Sequence, residues 1–226
     1  MGFLDIIFPV NCLERGKETK YLCDNCLAKV GNARLFCLEC HKAAIDGATH
    51  AGCKKKYSID FAISAWGYSG VVRKAILKLK YNFAYKIADE LAWGFTKKLV
   101  SEVSVLPKDA LLLPIPLYKS RENWRGFNQS EKMGEIVADK FGWEYNPNVL
   151  IRSKKTKPQA ELSGRQRAVN LQGVFSLSRD SLKFSSYKLP LVLFDDVLTT
   201  GSTLREACKV LKRNGAKTVW GLTIAA

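Results

Sequence analysis

Two adjacent aspartates, Asp195 and Asp196, follow the apolar run LPLVLF and precede a group of small hydroxyl and glycine residues. The run predicts a buried strand, and Ser202 opens a segment of helical spacing that Gly215 closes. A turn into a helix presents backbone N–H groups and the positive end of the helix dipole to a phosphate. Gly201 allows close backbone approach, and the carboxylates lie where they can accept hydrogen bonds from ribose hydroxyls. A plain turn with Asp and Thr as helix caps does not explain two aspartates on a buried strand.

Cysteine spacing points to a second kind of chemistry near the start of the chain. Six of the seven cysteines and both histidines fall within residues 12–53. Pairs separated by two residues suit zinc, which prefers four tetrahedral sulfur or nitrogen ligands. One complete set is Cys37, Cys40, His50 and Cys53.

The remaining thiols leave the grouping of the zinc ligands open. Cys12, Cys23 and Cys26 lack a fourth partner, because Arg15 stands where a second cysteine would pair with Cys12. That set is either free of metal or completed by a carboxylate or water. A competing arrangement places four thiols on one ion, namely Cys23, Cys26, Cys37 and Cys40. Cys208 lies within a predicted helix and is interpreted as a buried apolar thiol.

The elements that must position these residues follow from the apolar periodicity after residue 57. Predicted strands cover residues 61–68, 110–116, 149–152, 171–177, 189–197 and 217–225. Predicted helices cover residues 70–80, 87–100, 128–141 and 202–214. This alternation predicts an α/β fold, a parallel sheet with helices on both faces. We expect a zinc module in residues 1–56 and the α/β domain in residues 57–226.

The charge of the chain limits its partners. Thirty-six basic residues against twenty-one acidic ones give a net charge of +15, which favours anionic partners: nucleic acid such as single-stranded DNA, pyrophosphate compounds or anionic lipid. The apolar start of the chain is short, lacks a basic lead and contains Asp5, so it does not predict a signal peptide. We expect a cytoplasmic protein without membrane insertion.

Residues 191–203 resemble the signature that binds phosphoribosyl pyrophosphate in type I phosphoribosyltransferases. By this resemblance Asp195 and Asp196 contact the ribose 2′- and 3′-hydroxyls. They are also the candidate catalytic residues, because no other carboxylate lies as near to the motif. The implied binding residues for the ribose and the 5′-phosphate are Asp195, Asp196, Val197, Leu198, Thr199, Thr200, Gly201, Ser202 and Thr203. Mg²⁺ is expected with the ligand, because its pyrophosphate demands a hard cation.

The chain as a whole is similar to the ComF family of competence and DNA-utilisation proteins. The matching segments are FPxxC at 8–12, the CxxC pairs, LKY at 79–81, PIPL at 114–117, RGFNQ at 125–129, and the residues Lys155, Thr156, Gln159, Arg165, Arg167 and Asn170. The resemblance implies a role in DNA uptake, with competence-related proteins as partners and oligomers as an option.

The same resemblance assigns two further segments to the ligand. Residues 116–125 correspond to the pyrophosphate loop, where Arg121 and Arg125 would meet pyrophosphate oxygens. Residues 152–172 correspond to the loop that closes over the site. Its candidate contacts are Arg152, Lys155, Gln159, Arg165 and Arg167.

Three functions remain open from the sequence. The leading hypothesis is a protein that binds phosphoribosyl pyrophosphate with Mg²⁺ and acts in DNA uptake, as a phosphoribosyltransferase if it is catalytic. The alternatives are a non-catalytic module that senses the ligand and binds single-stranded DNA, and a nucleobase salvage enzyme. Salvage is the weakest, because it needs no zinc module and no segment for reading a base is identifiable.

Overall fold

The computed structural model describes residues 10–17, 20–81, 85–154, 173–179 and 189–226. Its strands are β1 (Arg34–Leu35), β2 (Phe61–Trp66), β3 (Leu111–Pro114), β4 (Glu144–Tyr145), β5 (Leu150–Arg152), β6 (Phe175–Leu177), β7 (Leu191–Val197) and β8 (Val219–Ala225). Its α-helices are α1 (Asp24–Ala28), α2 (Gly70–Tyr81), α3 (Tyr85–Glu102), α4 (Lys119–Arg125), α5 (Gln129–Phe141) and α6 (Ser202–Arg213). Short 3₁₀ turns cover Ile45–Gly47 and Ala51–Cys53.

Six strands form the main sheet, in the order β1-β2-β8-β7-β3-β4. The five strands from β2 to β4 in that order are mutually parallel, and β1 joins the edge antiparallel to β2. β7 lies inside the sheet, with Val192 opposite Leu112 of β3 and Trp220 of β8. The motif-bearing strand is therefore central, and its carboxyl end is flanked by those of β3 and β8.

Helices cover both faces of this sheet, as its apolar strands require. On one face Phe194 packs edge-on against Phe95 of α3, with ring centroids 5.5 Å apart. On the other face Leu193 shares a core with Leu204 and Leu211 of α6. The α/β fold class predicted from the sequence is confirmed.

Two features of the architecture differ from the sequence prediction. The predicted strand at 149–152 and the described part of the predicted strand at 171–177 do not belong to the main sheet. They pair with each other as an antiparallel ribbon of β5 and β6. The predicted pyrophosphate loop contains the helix α4, which Gly126 ends in a left-handed conformation at φ 77°.

Strands β1 and β4 were not predicted, because they span two residues each, which is too short for a periodic signal.

The cysteine-rich front segment is joined to the sheet. β1 pairs with β2 through Arg34 opposite Ser64 and Leu35 opposite Ile63. Cys23 and Cys26 are buried in the same apolar core as α2 and α3. The division at residues 56 and 57 stays a prediction. Among the described residues, no helix has both the length and the apolar character to cross a membrane.

Candidate functional site

Residues 198–201 connect the end of β7 to the start of α6, and they are called the phosphate turn because the sequence predicts phosphate binding there. Gly201 adopts φ 73°, a left-handed conformation that favours glycine, and immediately precedes Ser202 at the helix start. The hydroxyls of Thr200 and Ser202 are hydrogen-bonded at 2.8 Å. Leu198 is buried and Thr199 is exposed. The strand, turn and helix predicted from the motif are present, and the turn opens at the carboxyl edge of the sheet, where α/β proteins bind ligands.

Asp195 is held by donors at the end of β7. Ser130, in the first turn of α5, donates its hydroxyl to Asp195 Oδ1 at 3.0 Å, and the Asp196 N–H donates to the same oxygen at 2.9 Å. Burial and the neighbouring Asp196 carboxylate together raise the pKa of Asp195 to about 7, and these hydrogen bonds and Lys80 oppose the shift. This carboxyl can therefore exchange a proton near neutral pH.

Asp196 pairs with a cation that the motif does not contain. Lys80 Nζ, near the end of α2, lies 2.6 Å from Asp196 Oδ2, and both side chains are largely shielded from solvent. Burial alone would lower the pKa of Lys80, but the carboxylates of Asp196 and Asp195 outweigh it and raise the pKa. The sequence placed Lys80 only within the LKY resemblance, with no role. Nothing in its spacing from Asp196, 116 positions later, reveals the pair.

Charge interactions connect three predicted arginines with the group formed by Lys80 and the two aspartates. Burial and the charge of Arg121 together lower the pKa of Arg152 to about 10, and the charge of Asp195 opposes the shift. The charge of Arg125 lowers the pKa of Lys80, and Arg125 Nη1 donates a hydrogen bond to Gln129 Oε1 at 3.0 Å. Its Nε is a buried donor without a hydrogen-bond partner among the described residues. The structure thus brings cations from α4 and β5 to the carboxyl edge beside β7.

Asn128 explains how the RGFNQ segment is positioned. Its side chain accepts a hydrogen bond from the Ser130 N–H and so caps α5. Its amide also donates to the Ile115 carbonyl at 3.0 Å, which ties the start of α5 to the chain after β3. The cap fixes both Ser130, which contacts Asp195, and the chain leaving α4. Four other predicted loop contacts lie outside the described residues: Lys155, Gln159, Arg165 and Arg167.

The thiol and imidazole ligands of the complete zinc set converge. The ligand atoms of Cys37, Cys40, His50 and Cys53 all lie within 4.8 Å of one another. Tetrahedral zinc places such atoms about 3.8 Å apart, so the set fits the ion. Cys40 Sγ is 3.4 Å from His50 Nδ1, and His50 Nε2 is 3.1 Å from the Ala43 carbonyl. Donation from Nε2 to that carbonyl leaves Nδ1 as the metal ligand.

The electrostatics of this set suit a cation. Burial would raise the pKa of Cys37, but backbone N–H groups of His50, Cys40 and Glu39 bring it down to about 7. Burial and the other two thiols raise the pKa of Cys53 to about 11. A divalent ion offsets the repulsion among these thiolates. The cluster can therefore hold a metal such as zinc.

Cys12, Cys23 and Cys26 form a separate buried cluster. Cys12 Sγ lies 3.5 Å from Cys23 Sγ and 3.7 Å from Cys26 Sγ. Because these thiols group with one another, the competing set that joined Cys23 and Cys26 to Cys37 and Cys40 is not formed. The predicted burial of the remaining thiol, Cys208, is confirmed.

A pocket of about 500 Å³ lies between the front segment and the phosphate turn. The front segment contributes Phe36 and His41 to its lining, and the turn contributes Leu198 and Thr199. The carboxyl edge of the sheet therefore has room for a molecule beside the turn.

Known proteins resemble this chain over nearly its whole length. It is 30% identical to the DNA utilization protein YhgH of Salmonella typhi over 215 residues, which cover 92% of this chain and 85% of the relative. It is 37% identical to Competence protein F of Haemophilus influenzae over 116 residues, half of each chain. The chain belongs to the ComF family.

Other comparisons add less about this ComF-family chain. A superposition on adenine phosphoribosyltransferase from Leishmania tarentolae covers 65% of this chain and 76% of that one, at 15% identity and a TM-score of 0.33. No protein-family model matches the chain.

The geometry also identifies residues that the sequence prediction left out of the site. Lys80 and Ser130 contact the two aspartates, and Arg205 donates to the Thr200 carbonyl at 2.7 Å. Arg205 lies one turn into α6 from Ser202, and its position in the helix is the only sequence signal for that contact. Leu38, between Cys37 and Cys40, is buried against Gly201. No local pattern predicts this contact.

Proposed function

We propose that the chain binds phosphoribosyl pyrophosphate with Mg²⁺ at the carboxyl end of β7 and acts in DNA uptake. The observation that carries the proposal is the placement of Asp195 and Asp196 at the end of a central parallel strand, directly before the phosphate turn. Ribose hydroxyls would donate to these carboxylates, and the 5′-phosphate would accept from the N–H groups of the turn.

The surrounding cations support a ligand that carries a pyrophosphate. Arg121, Arg125 and Arg152 belong to elements around the aspartates, and the buried Arg125 Nε lacks a hydrogen-bond partner in the described structure. A pyrophosphate oxygen would satisfy that donor with a charge-assisted bond. Mg²⁺ would neutralise part of the ligand's charge.

A transferase reaction would displace pyrophosphate from C1 of the ribose by a nucleophilic nitrogen. Asp195 is the carboxyl best suited to exchange the proton, because its pKa is raised to about 7. The pocket beside the phosphate turn would receive the acceptor.

A non-catalytic role is the second candidate. It is supported by the net charge of +15 and by the relatives that are named for DNA utilization and competence. Here the ligand acts as a signal, and basic surfaces of the chain hold single-stranded DNA.

Calorimetry with phosphoribosyl pyrophosphate and Mg²⁺ tests the binding proposal. A second titration with ribose 5-phosphate, which lacks the pyrophosphate, is the control. Binding that requires the pyrophosphate and Mg²⁺ supports the site, and absence of heat with both present contradicts it. Steady release of pyrophosphate with an acceptor then separates the transferase from the non-catalytic module.

A further inference from the structure

Arg205 joins the phosphate turn to the turn between Cys37 and Cys40. Its Nη1 donates to the Thr200 carbonyl at 2.7 Å, and its Nη2 donates to the Leu38 carbonyl. Nε lies 3.7 Å from Glu39 Oε1, and Nη2 lies 3.3 Å from His41 Nε2. One planar guanidinium thus contacts both segments, which a point charge such as an ammonium cannot do with the same geometry.

Direct packing joins the same two segments. Leu38 is fully buried, and a Cβ placed on Gly201 would come within 2.6 Å of Leu38 Cδ1. No gap therefore separates the phosphate turn from the residue that stands between two metal ligands. A shift of Leu38 must be accommodated by the turn, because closely packed interiors transmit displacements.

We infer that Arg205 is a positioning residue through which metal bound at Cys37, Cys40, His50 and Cys53 holds the phosphate turn in its binding shape. The inference rests on the proposed function of that turn. Metal binding fixes the backbone around Leu38 and Glu39, and the guanidinium carries this constraint to Thr200. The metal set and the ligand site are therefore thermodynamically linked.

Linkage is reciprocal, and this property makes the inference testable. If zinc raises the affinity for phosphoribosyl pyrophosphate, then the ligand must raise the affinity for zinc by the same factor. Equilibrium competition with the zinc-selective chelator TPEN, in excess Mg²⁺, measures zinc affinity without and with the ligand. In the wild-type chain the ligand is expected to raise it by roughly fivefold or more.

Variants of Arg205 identify the path of the coupling. R205M is expected to keep its zinc, but the ligand should no longer raise its zinc affinity. In R205K the ligand should raise the zinc affinity by less than in the wild type. The control is K209M, one turn further along α6, where Lys209 lies 3.7 Å from Glu206 and has no described contact with either segment. K209M is expected to behave like the wild type, and circular dichroism checks the fold of each variant.

The outcomes separate this inference from the proposed function. If the wild type binds phosphoribosyl pyrophosphate but its zinc affinity does not change, the coupling is absent and the inference is wrong, whatever R205M does. If the ligand raises the zinc affinity of a folded R205M as much as that of the wild type, Arg205 does not carry the coupling and the inference is also wrong. If calorimetry shows no ligand binding by zinc-loaded wild type, the proposed function itself fails, and the inference fails with it.

Discussion

Lys80 and Asp196 form an ion pair, with Nζ 2.6 Å from Oδ2, although one residue comes from α2 and the other from β7. The pair stands at the carboxyl edge of the sheet, beside Asp195 and its donor Ser130. The two adjacent carboxylates repel each other, and the charge of Lys80 offsets part of this repulsion by lowering the pKa of Asp195 against the effect of burial.

Replacing Lys80 with Met should destabilise the chain by about 1.5–3 kcal/mol, because Asp196 would lose a charge-assisted hydrogen bond next to a like charge. Urea unfolding measures this loss. In the double variant with Asp196→Asn the further loss should be small, since the pair is already broken. Lys74→Met is the control on the same helix. Lys74 pairs with Glu14 at a more exposed position, so its loss should cost about 1 kcal/mol or less. Equal losses in both lysine variants would contradict a special role for Lys80.

The protonation of Asp195 should make stability depend on pH. Its pKa is raised from 3.8 to about 7, so between these values the folded chain binds more protons at this site than the unfolded chain. This contribution to stability is present at low pH, is lost as pH rises through about 7, and stays lost above. Asp195→Asn does not titrate. The free energy of unfolding of this variant minus that of the wild type should therefore increase from pH 5 to pH 8, as measured by urea unfolding without ligand. A difference that is the same at both pH values would show that Asp195 is not perturbed.

Zinc content should follow the two thiol clusters. Cys37→Ser and His50→Ala should each lose the ion of the Cys37 set, because each removes one of four ligands that reach the same point. Cys208→Ser, a buried thiol outside both clusters, is the control and should retain it. Elemental analysis of protein purified without chelators gives the result. Zinc retained in His50→Ala but lost in Cys23→Ser would contradict this ligand set.

Binding to single-stranded DNA should weaken steeply with salt, because each neutralised phosphate releases a counterion. Stacking should add a salt-resistant part. Trp124 is a candidate, being 63% exposed on α4 beside Arg125. Trp124→Ala should lower the affinity at high salt, and Trp93→Ala, at a similarly exposed position on α3, is the control. Fluorescence anisotropy with a labelled oligonucleotide measures both variants. Affinity that does not change with salt would contradict an electrostatic interface.

Local chemistry made much of this site predictable from the sequence. The apolar run before Asp195, the hydroxyl-rich turn and the closing Gly215 together predict a strand, a turn and a helix, and the structure has all three. The spacing of His50 and Cys53 likewise predicted a metal set that converges. In each case the residues that form the feature are close in the chain, so their order carries the information.

Contacts between distant segments were not predictable in the same way. Lys80 reaches Asp196, and Arg205 reaches Leu38, only because the sheet order brings α2 and the front segment to the end of β7. The ribbon of β5 and β6 was missed for a related reason, since strand length and polarity do not specify a pairing partner. A single sequence contains these long-range relationships only through the complete fold.

The central claim is that Asp195, Asp196 and the phosphate turn bind phosphoribosyl pyrophosphate, and calorimetry on matched variants tests it most directly. Asp196→Asn should weaken binding by about 1.5–3 kcal/mol, because a charged acceptor becomes neutral. The double variant D195A/D196A should lose measurable binding. D109A/D139A, which removes two exposed aspartates from the surface, should bind like the wild type. If D195A/D196A remains folded and binds the ligand with Mg²⁺ as tightly as the wild type, the site lies elsewhere and the account is wrong.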